Sequence, residues 1–146
     1  DSIVLYGLEA GKYRLALKTP KDQIINVEYT RDKSKKKAAY KKSKAINLKS
    51  DIDSIYTSTE KAARWYKVSV SSTKKRKAVT LSKDSVGGGF KFRVYQKGKR
   101  LKTVRVTKND KVKTVKLPKK KGTYYVKVTK LTSKTTGAYY LGTYTY

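Results

Sequence analysis

Seven residues with aromatic or cationic side chains stand at alternating positions of short apolar stretches, and their types suit binding better than catalysis. An aromatic ring can stack on a sugar ring, a proline or a base, and a neighbouring lysine or arginine adds long-range attraction to an anion. The alternation predicts that all seven point away from the core of a sheet. The candidate binding residues are Trp65, Lys67, Arg93, Tyr95, Tyr125, Lys127 and Tyr140.

These side chains also have a purely structural interpretation. Tyrosine favours strands, and an outward tyrosine can simply cover a neighbouring strand or domain. Lysine at an outward position discourages association of exposed sheet edges. Both interpretations remain open from the sequence.

The residues needed for most catalytic chemistry are missing. The 146 residues include no cysteine and no histidine, which excludes disulfides, thiolate nucleophiles, a Ser-His-Asp triad and the commonest zinc ligands. The ten acidic residues are scattered, and no pair is arranged for acid-base catalysis. We therefore predict that the chain is not an enzyme and has no cofactor and no metal site.

The charge balance points to a partner. The chain has 38 basic and 10 acidic residues, a formal net charge of +28. Such a balance concerns partners and solubility rather than fold. We expect a polyanionic partner or an anionic surface; the alternative is that the charge serves only solubility.

Alternation of apolar and polar residues dominates from Trp65 onward and predicts strands. In "GTYYVKV", Tyr124 is predicted to lie in the core with Val126 and Val128, whereas Tyr125 points outward with Lys127. Short strands with turn residues between them predict an all-β fold, an antiparallel β-sandwich of the jelly-roll or immunoglobulin-like kind. The segments "LKTVRVT" and "VKTVKL" flank Asn109-Asp110 and are predicted to form a β-hairpin.

The chain divides into three segments. Residues 1–30 resemble the region near the C-terminal end, with Tyr13 corresponding to Tyr124 in "GKYRLAL" and "GTYYVKV". They are predicted to be the last strands of a preceding repeat or an N-terminal hairpin of the same domain. Residues 31–49 are rich in lysine and predicted to be a linker. Residues 50–146 are predicted to form the sandwich.

Several segments carry a resemblance to a known family: "KAINLKS", "RWYKVSV", "GGFKFRVYQKGK", "KLPKKKGTYYVKV" and "TTGAYYL". From about Lys42 to Tyr146 the chain resembles the bacterial pre-peptidase C-terminal domains and the related collagen-binding domains of secreted clostridial proteases. The resemblance implies a small non-catalytic β-sandwich attached to a secreted or cell-surface protein. It departs from the family before the strand at Trp65, where Ala62 and Ala63 stand in place of the usual acidic residues, so we predict no calcium site.

The sequence therefore predicts a binding module of a secreted or cell-surface bacterial protein. The expected partner is an anionic polymer, a glycan or an extracellular matrix protein. The alternatives are a nucleic-acid-binding basic β domain and a structural spacer repeat. No stretch is apolar enough for a transmembrane segment. Because the sequence has no methionine, we expect a piece of a larger multidomain protein whose signal peptide is removed or lies outside this chain.

Overall fold

A computed structural model describes residues 38–49, 52–56, 63–83, 88–135 and 137–146, with isolated positions between 12 and 27. Within these ranges a short 3-10 helix (Lys42–Lys44) precedes nine strands. The strands are β1 (Ile46–Asn47), β2 (Ile52–Tyr56), β3 (Arg64–Val70), β4 (Lys77–Lys83), β5 (Phe90–Gln96), β6 (Lys99–Val106), β7 (Val112–Lys116), β8 (Gly122–Lys130) and β9 (Gly137–Thr145). The predictions for residues 1–30 and 31–37 fall outside the described residues, apart from the isolated positions.

The described strands form two sheets that pack face to face. One has five strands in the order β1-β3-β8-β5-β6, and the other has four in the order β2-β9-β4-β7. Neighbouring strands are antiparallel except β1, which pairs with β3 in the parallel sense. The predicted all-β antiparallel sandwich is confirmed.

The core lies between the two sheets and is built from alternate residues of each strand, as the period of two requires. Tyr124 is fully buried, and Val126 and Val128 lie beside it, which confirms the predicted inward face of β8. Strands β3 and β5 follow the same alternation. The core residues of these two strands are Tyr66, Val68, Val70, Phe90, Phe92 and Val94.

A buried hydrogen bond joins the two sheets through the core. The hydroxyl groups of Tyr66 on β3 and Tyr139 on β9 lie 2.6 Å apart. The ring of Tyr139 also packs against Phe90, with ring centroids 4.9 Å apart. These contacts let tyrosine occupy the core because its polar end has a partner there.

Strands β5 and β6 form a tight hairpin around Lys97 and Gly98. Both residues have positive φ, 48° and 79°, as a type I′ turn requires. Lys97 is the one non-glycine residue with positive φ among the described residues. The hairpin places β6 at the edge of the five-stranded sheet.

The hairpin predicted around Asn109-Asp110 is wrong. Strand β6 pairs with β5 in one sheet, whereas β7 pairs with β4 in the other, so residues 107–111 form a corner between the sheets. The carboxylate of Asp110 accepts hydrogen bonds from the backbone N–H and the hydroxyl of Thr107, at 2.9 and 2.7 Å, and lies 2.7 Å from the Lys113 ammonium. Alternation identifies the buried side of each strand, but both sheets bury one side, so it does not assign a strand to a sheet.

Residues 38–49 pack on the sandwich. Ala39, Ala45 and Leu48 are buried, and the carbonyl of Ala39 accepts a hydrogen bond from the backbone N–H of Trp65 at 2.8 Å. With β1 paired to β3, the sandwich begins before residue 50, where the sequence placed its boundary. The end of the predicted linker is thus part of the sheet, because small and apolar residues lie between its lysines and can be buried against the sandwich.

Candidate functional site

Six of the seven candidate binding residues lie together on the outer face of the five-stranded sheet. Strand β8 runs between β3 and β5, and its register sets Tyr125 opposite both Lys67 and Tyr95. One step along, Lys127 stands opposite both Trp65 and Arg93. The resulting patch is called the basic aromatic face, and its members are Trp65, Lys67, Arg93, Tyr95, Tyr125 and Lys127.

The face is a grid of two rows on three strands. Neighbouring strands lie about 4.8 Å apart and alternate residues about 7 Å apart, so the grid of Cα atoms is about 10 Å wide and about 7 Å long. Along each strand an aromatic residue alternates with a cationic one. A ligand lying on the face would therefore meet rings and positive charges together.

The aromatic rings lean toward one another across the middle strand. Trp65 and Tyr95 belong to strands that are not neighbours, yet their ring centroids are 5.7 Å apart with a 41° angle between the planes. The ammonium of Lys127 lies 5.3 Å from the centroid of the Trp65 ring. Both distances allow favourable contacts. The rings are consequently held in place within the face.

The ring of Tyr125 is covered from outside the sheet. The ammonium of Lys42, in the 3-10 helix before β1, lies 4.6 Å from the Tyr125 ring centroid. Sequence reasoning did not single out this lysine, because the tract around it has little periodicity. The segment "KAINLKS" could have indicated it, because this segment begins two residues after Lys42 and contains β1, which pairs with β3. Lys42 extends the basic aromatic face beyond the grid.

All six side chains of the basic aromatic face are half-buried. Contacts between Trp65 and Tyr95 and between Lys127 and Trp65 account for part of this burial, which is the structural role that the sequence left open. The charged ends still give the face its electrostatic character, and Lys91 and Arg105 continue the cations toward the edge strand β6. Among the described residues, the acidic ones are Asp53 and Asp110, which lie on the other sheet and at the 107–111 corner. The potential over this face is therefore positive.

Tyr140 lies elsewhere. It is on β9, in the four-stranded sheet, where its register partners are Asp53 and Ser82. Its side chain is 44% exposed, so it points outward as predicted, but it cannot join the other six residues because the core separates the two sheets.

Two further tyrosines accompany Tyr140 on the outer side of the four-stranded sheet. Tyr144 and Tyr146 are 47% and 45% exposed, and their ring centroids are 5.9 Å apart. The ammonium of Lys116 lies 5.2 Å from the Tyr146 ring centroid. Tyr144 has the same parity as Tyr140 in the segment "YYLGTYTY", a signal that could have identified it.

Tyr124 has its hydroxyl at the end of the core, beneath the loop 117–121. The hydroxyl donates to the carbonyl of Lys120 at 2.9 Å, and burial raises the pKa of the Tyr124 phenol. At the other end of the sandwich, burial lowers the pKa of the Lys83 ammonium and the nearby Asp110 opposes that effect. The Lys83 ammonium donates to the Lys108 carbonyl at 3.0 Å. These contacts fix loop positions at the two ends of the sheets.

The absence of a metal site stays a prediction. Of the carboxylates that could bind calcium, Asp51 and Glu60 lie outside the described residues, and Asp53 is described only as part of strand β2. In the described ranges, no helix is long and apolar enough to cross a membrane.

Comparison with solved structures identifies the same architecture in a known domain. The chain is similar to the crystal structure of the pre-peptidase C-terminal domain of a collagenase from Bacillus anthracis, with a TM-score of 0.52. The match covers 77% of this chain and 100% of that domain, at 16% sequence identity. No protein-family model and no curated protein matches the sequence.

The chain thus has a fold like that of a pre-peptidase C-terminal domain. This confirms the resemblance given by the strand and glycine pattern. At 16% identity the likeness concerns the fold, so the function has to be argued from the surface of this chain.

Proposed function

We propose that this chain is a non-catalytic module that attaches a secreted or cell-surface bacterial protein to an extracellular polymer. The observation that carries the proposal is the basic aromatic face, where β3, β5 and β8 bring three rings and three cations into one grid. These strands are far apart in the sequence, so only the fold brings the six residues together. The likeness of the fold to a domain of a collagenase supports a role as an accessory part of a larger protein.

The face suits an anionic or fibrous polymer. Rings such as Trp65 and Tyr95 can stack against sugar rings or against the flat side of a proline-rich chain. Lys67, Arg93 and Lys127 attract sulfate, phosphate or carboxylate groups over a longer range. The partner is therefore a cell-wall polymer, a glycan or a matrix protein with anionic groups near ring-shaped ones.

Each contact of this kind is weak. One exposed stacking or cation-π contact contributes about 0.5 to 1 kcal/mol, which is about 2- to 5-fold in affinity. Strong attachment would require several contacts at once, or several modules in tandem on one protein. The grid supplies several contacts within about 10 Å, which matches this requirement.

The test uses Trp65 as its own reporter, because it is the single tryptophan of the chain and lies in the basic aromatic face. Its fluorescence would be followed during titration with teichoic acid, heparin, collagen, soluble fragments of polysaccharide and DNA. We expect a saturable change with a polymer that binds the face. A polymer that binds elsewhere should leave the emission unchanged.

The matched variants are Tyr95→Thr/Tyr125→Thr on the face and Tyr140→Thr/Tyr144→Thr on the other sheet. Threonine keeps the strand propensity while removing the ring. The face variant should lose about 5- to 25-fold in affinity, the product of two contacts, and the other variant should bind like the wild type. Equal binding by both variants would refute the proposed face.

Salt dependence separates the alternatives. A nucleic-acid binder should lose affinity steeply, with log K falling by about 0.7 to 0.9 per neutralised phosphate for each unit of log salt. Binding dominated by rings should change little with salt and depend on Tyr95 and Tyr125. If no polymer of the panel binds at physiological salt, the chain is a spacer and the proposal fails.

A further inference from the structure

Three loops at one end of the sandwich carry a second concentration of positive charge. They are the 71–76 loop between β3 and β4, the 97–98 turn between β5 and β6, and the 117–121 loop between β7 and β8. Nine cations on these loops and at the start of β6 are all exposed. This set is called the basic pole, and its members are Lys74, Lys75, Arg76, Lys97, Lys99, Arg100, Lys119, Lys120 and Lys121.

The strand register shows that these loops are neighbours. Val70, which ends β3, stands opposite Gly122, which begins β8, so the 71–76 and 117–121 loops leave the sheet side by side. Gln96, which ends β5, stands opposite Tyr124, and its amide donates to the carbonyl of Lys121 at 3.4 Å. The 97–98 turn therefore flanks the 117–121 loop on its other side.

Further hydrogen bonds fix the loops. The Tyr124 hydroxyl donates to the Lys120 carbonyl at 2.9 Å. Arg76 and Tyr146 exchange two backbone hydrogen bonds, at 3.0 and 2.9 Å, and the N–H of Leu117 donates to the Lys77 carbonyl at 2.8 Å. The pole is thus a defined surface, with its backbone held while the lysine side chains extend into solvent.

The charge at the pole is uncompensated by the described part of the chain. None of the nine cations forms an ion pair with a described residue, and Asp110 lies at the opposite end of the sheets, in the 107–111 corner. The loops leave neighbouring strands, which lie about 4.8 Å apart, and cations within a Debye length of about 8 Å repel one another. This repulsion disfavours the folded state, and a bound polyanion would relieve it.

The composition of the pole indicates which kind of anion it fits. Seven of the nine cations are lysines. The lysine ammonium is a hydrated point charge on a flexible side chain, whereas the arginine guanidinium is a rigid bidentate donor. None of the three loops contains an aromatic residue. The exposed Tyr146 lies beside the 71–76 loop, and its ring is already in contact with Lys116 and Tyr144. In the five-stranded sheet, β3 and β6 are three strand spacings apart, a distance of about 14 Å. A single phosphate ion is too small to bridge it.

We propose that the basic pole is a second binding site, which takes a linear polyanion with repeating phosphate groups and recognises it by charge density. This site is independent of the basic aromatic face, because the face lies on the flat side of the five-stranded sheet and the pole lies at the ends of its strands. A module with both sites could hold one long anionic polymer at two places.

The test is titration with long-chain inorganic polyphosphate at several salt concentrations. The pole variant is Lys119→Gln/Lys120→Gln/Lys121→Gln, and the matched control is Lys108→Gln/Lys111→Gln/Lys134→Gln, whose three exposed lysines lie at the opposite end. Both variants remove three charges. The pole variant should reduce the salt slope by about 2, and the affinity at 0.1 M salt by about 100-fold, because each phosphate contact counts about 0.7 in log K per unit of log salt.

The control should bind nearly like the wild type, and equal losses in the two variants would overturn the proposal in favour of net charge alone. The face variant Tyr95→Thr/Tyr125→Thr should keep polyphosphate binding. If the face variant loses it and the pole variant does not, the pole proposal is wrong and the face remains. Tighter binding of single-stranded DNA than of polyphosphate with the same number of charges would also overturn recognition by charge density.

Discussion

The two outer faces of the sandwich follow the same alternation of residues and yet become different surfaces. On the five-stranded sheet, Trp65 and Tyr95 lean together across β8, and lysine ammonium groups lie near the rings. On the four-stranded sheet, Tyr140 and Tyr144 stand on either side of Gly142 and are nearly half exposed. The first face has half-buried rings among cations, whereas the second has more exposed rings, two of which are separated by a glycine.

The difference comes from the neighbouring strands. Lys127 stands between Trp65 and Arg93 in the register, and Tyr125 stands between Lys67 and Tyr95, so each ring of the five-stranded sheet has a long side chain opposite it. Gly142 faces Thr80, whose side chain is too short to cover a ring on the next position. Exposure of an aromatic residue thus reflects the length of its cross-strand neighbours. A face that binds an anionic polymer needs rings and positive charges together, as the basic aromatic face has them.

The largest expected effect would test this packing directly. Trp65→Thr should lower the free energy of unfolding by about 2 kcal/mol, roughly half the loss for a fully buried tryptophan, because the ring contacts Tyr95 and Lys127. Tyr144→Thr should cost about 0.5 kcal/mol, as for a surface change. Urea denaturation followed by circular dichroism measures both. Equal losses would show that the two faces are packed alike.

The second prediction concerns the contact that joins the two sheets. Tyr66→Phe and Tyr139→Phe should each lower the free energy of unfolding by about 1 to 2 kcal/mol, because each removes a buried hydrogen-bonding partner of the other. The double variant should lose less than the sum, with a coupling energy of about 1 kcal/mol in a double-mutant cycle. Additive losses would mean that the two hydroxyl groups contribute independently and that their hydrogen bond does not couple the sheets.

The sequence predicted the local parts of this comparison and missed the long-range ones. Tyr124 in the core and Tyr125 outside follow from the period of two, which needs no knowledge of neighbours. Tyr140 was grouped with Tyr125 because alternation does not say which sheet a strand joins, and the error over the hairpin at Asn109-Asp110 has the same origin. Adjacency of β3, β8 and β5 is set by pairing between distant segments, so the grid emerged only from the fold.

The lysine-rich segment shows a second reason for the missing information. Lys42 contacts Tyr125 because Ala39, Ala45 and Leu48 anchor the tract on the sandwich. Three small or apolar residues among many lysines give too weak a pattern for prediction from periodicity. Composition alone suggested a linker, although burial of these few side chains decides where the segment lies.

A smaller effect is expected from the cations that lie over rings of the basic aromatic face. Lys42→Gln and Lys127→Gln should each lower the free energy of unfolding by about 0.5 kcal/mol, the lower range for an exposed cation-π contact. Lys116→Gln, whose ammonium lies near Tyr146 on the other sheet, is the matched control and should have a similar effect. A clearly larger loss on the five-stranded sheet would show that lysines also stabilise its packed rings, whereas a gain would mean that relief of charge repulsion outweighs the contacts.

The smallest effect concerns pH and the corner that joins the two sheets. A hydrogen bond from Lys113, followed by those from the hydroxyl and the backbone of Thr107, holds the pKa of Asp110 well below its usual range. In the unfolded chain the pKa of this carboxyl is about 3.9, so the folded state binds the proton less readily than the unfolded state does. Its stabilising contribution is therefore complete above that pH and is lost as the pH falls toward the folded pKa.

We accordingly expect the free energy of unfolding of the wild type to decrease below about pH 4, and Asp110→Asn to lack this part of the decrease. Lys113→Gln should reduce it, because the largest cause of the lowered pKa is removed. Urea denaturation of the three proteins between about pH 2 and pH 7 covers the titration of the unfolded carboxyl. Parallel pH profiles for the wild type and Asp110→Asn would show that the corner does not depend on this carboxylate and is held by its other contacts, among them the hydrogen bond from the Lys83 ammonium to the Lys108 carbonyl.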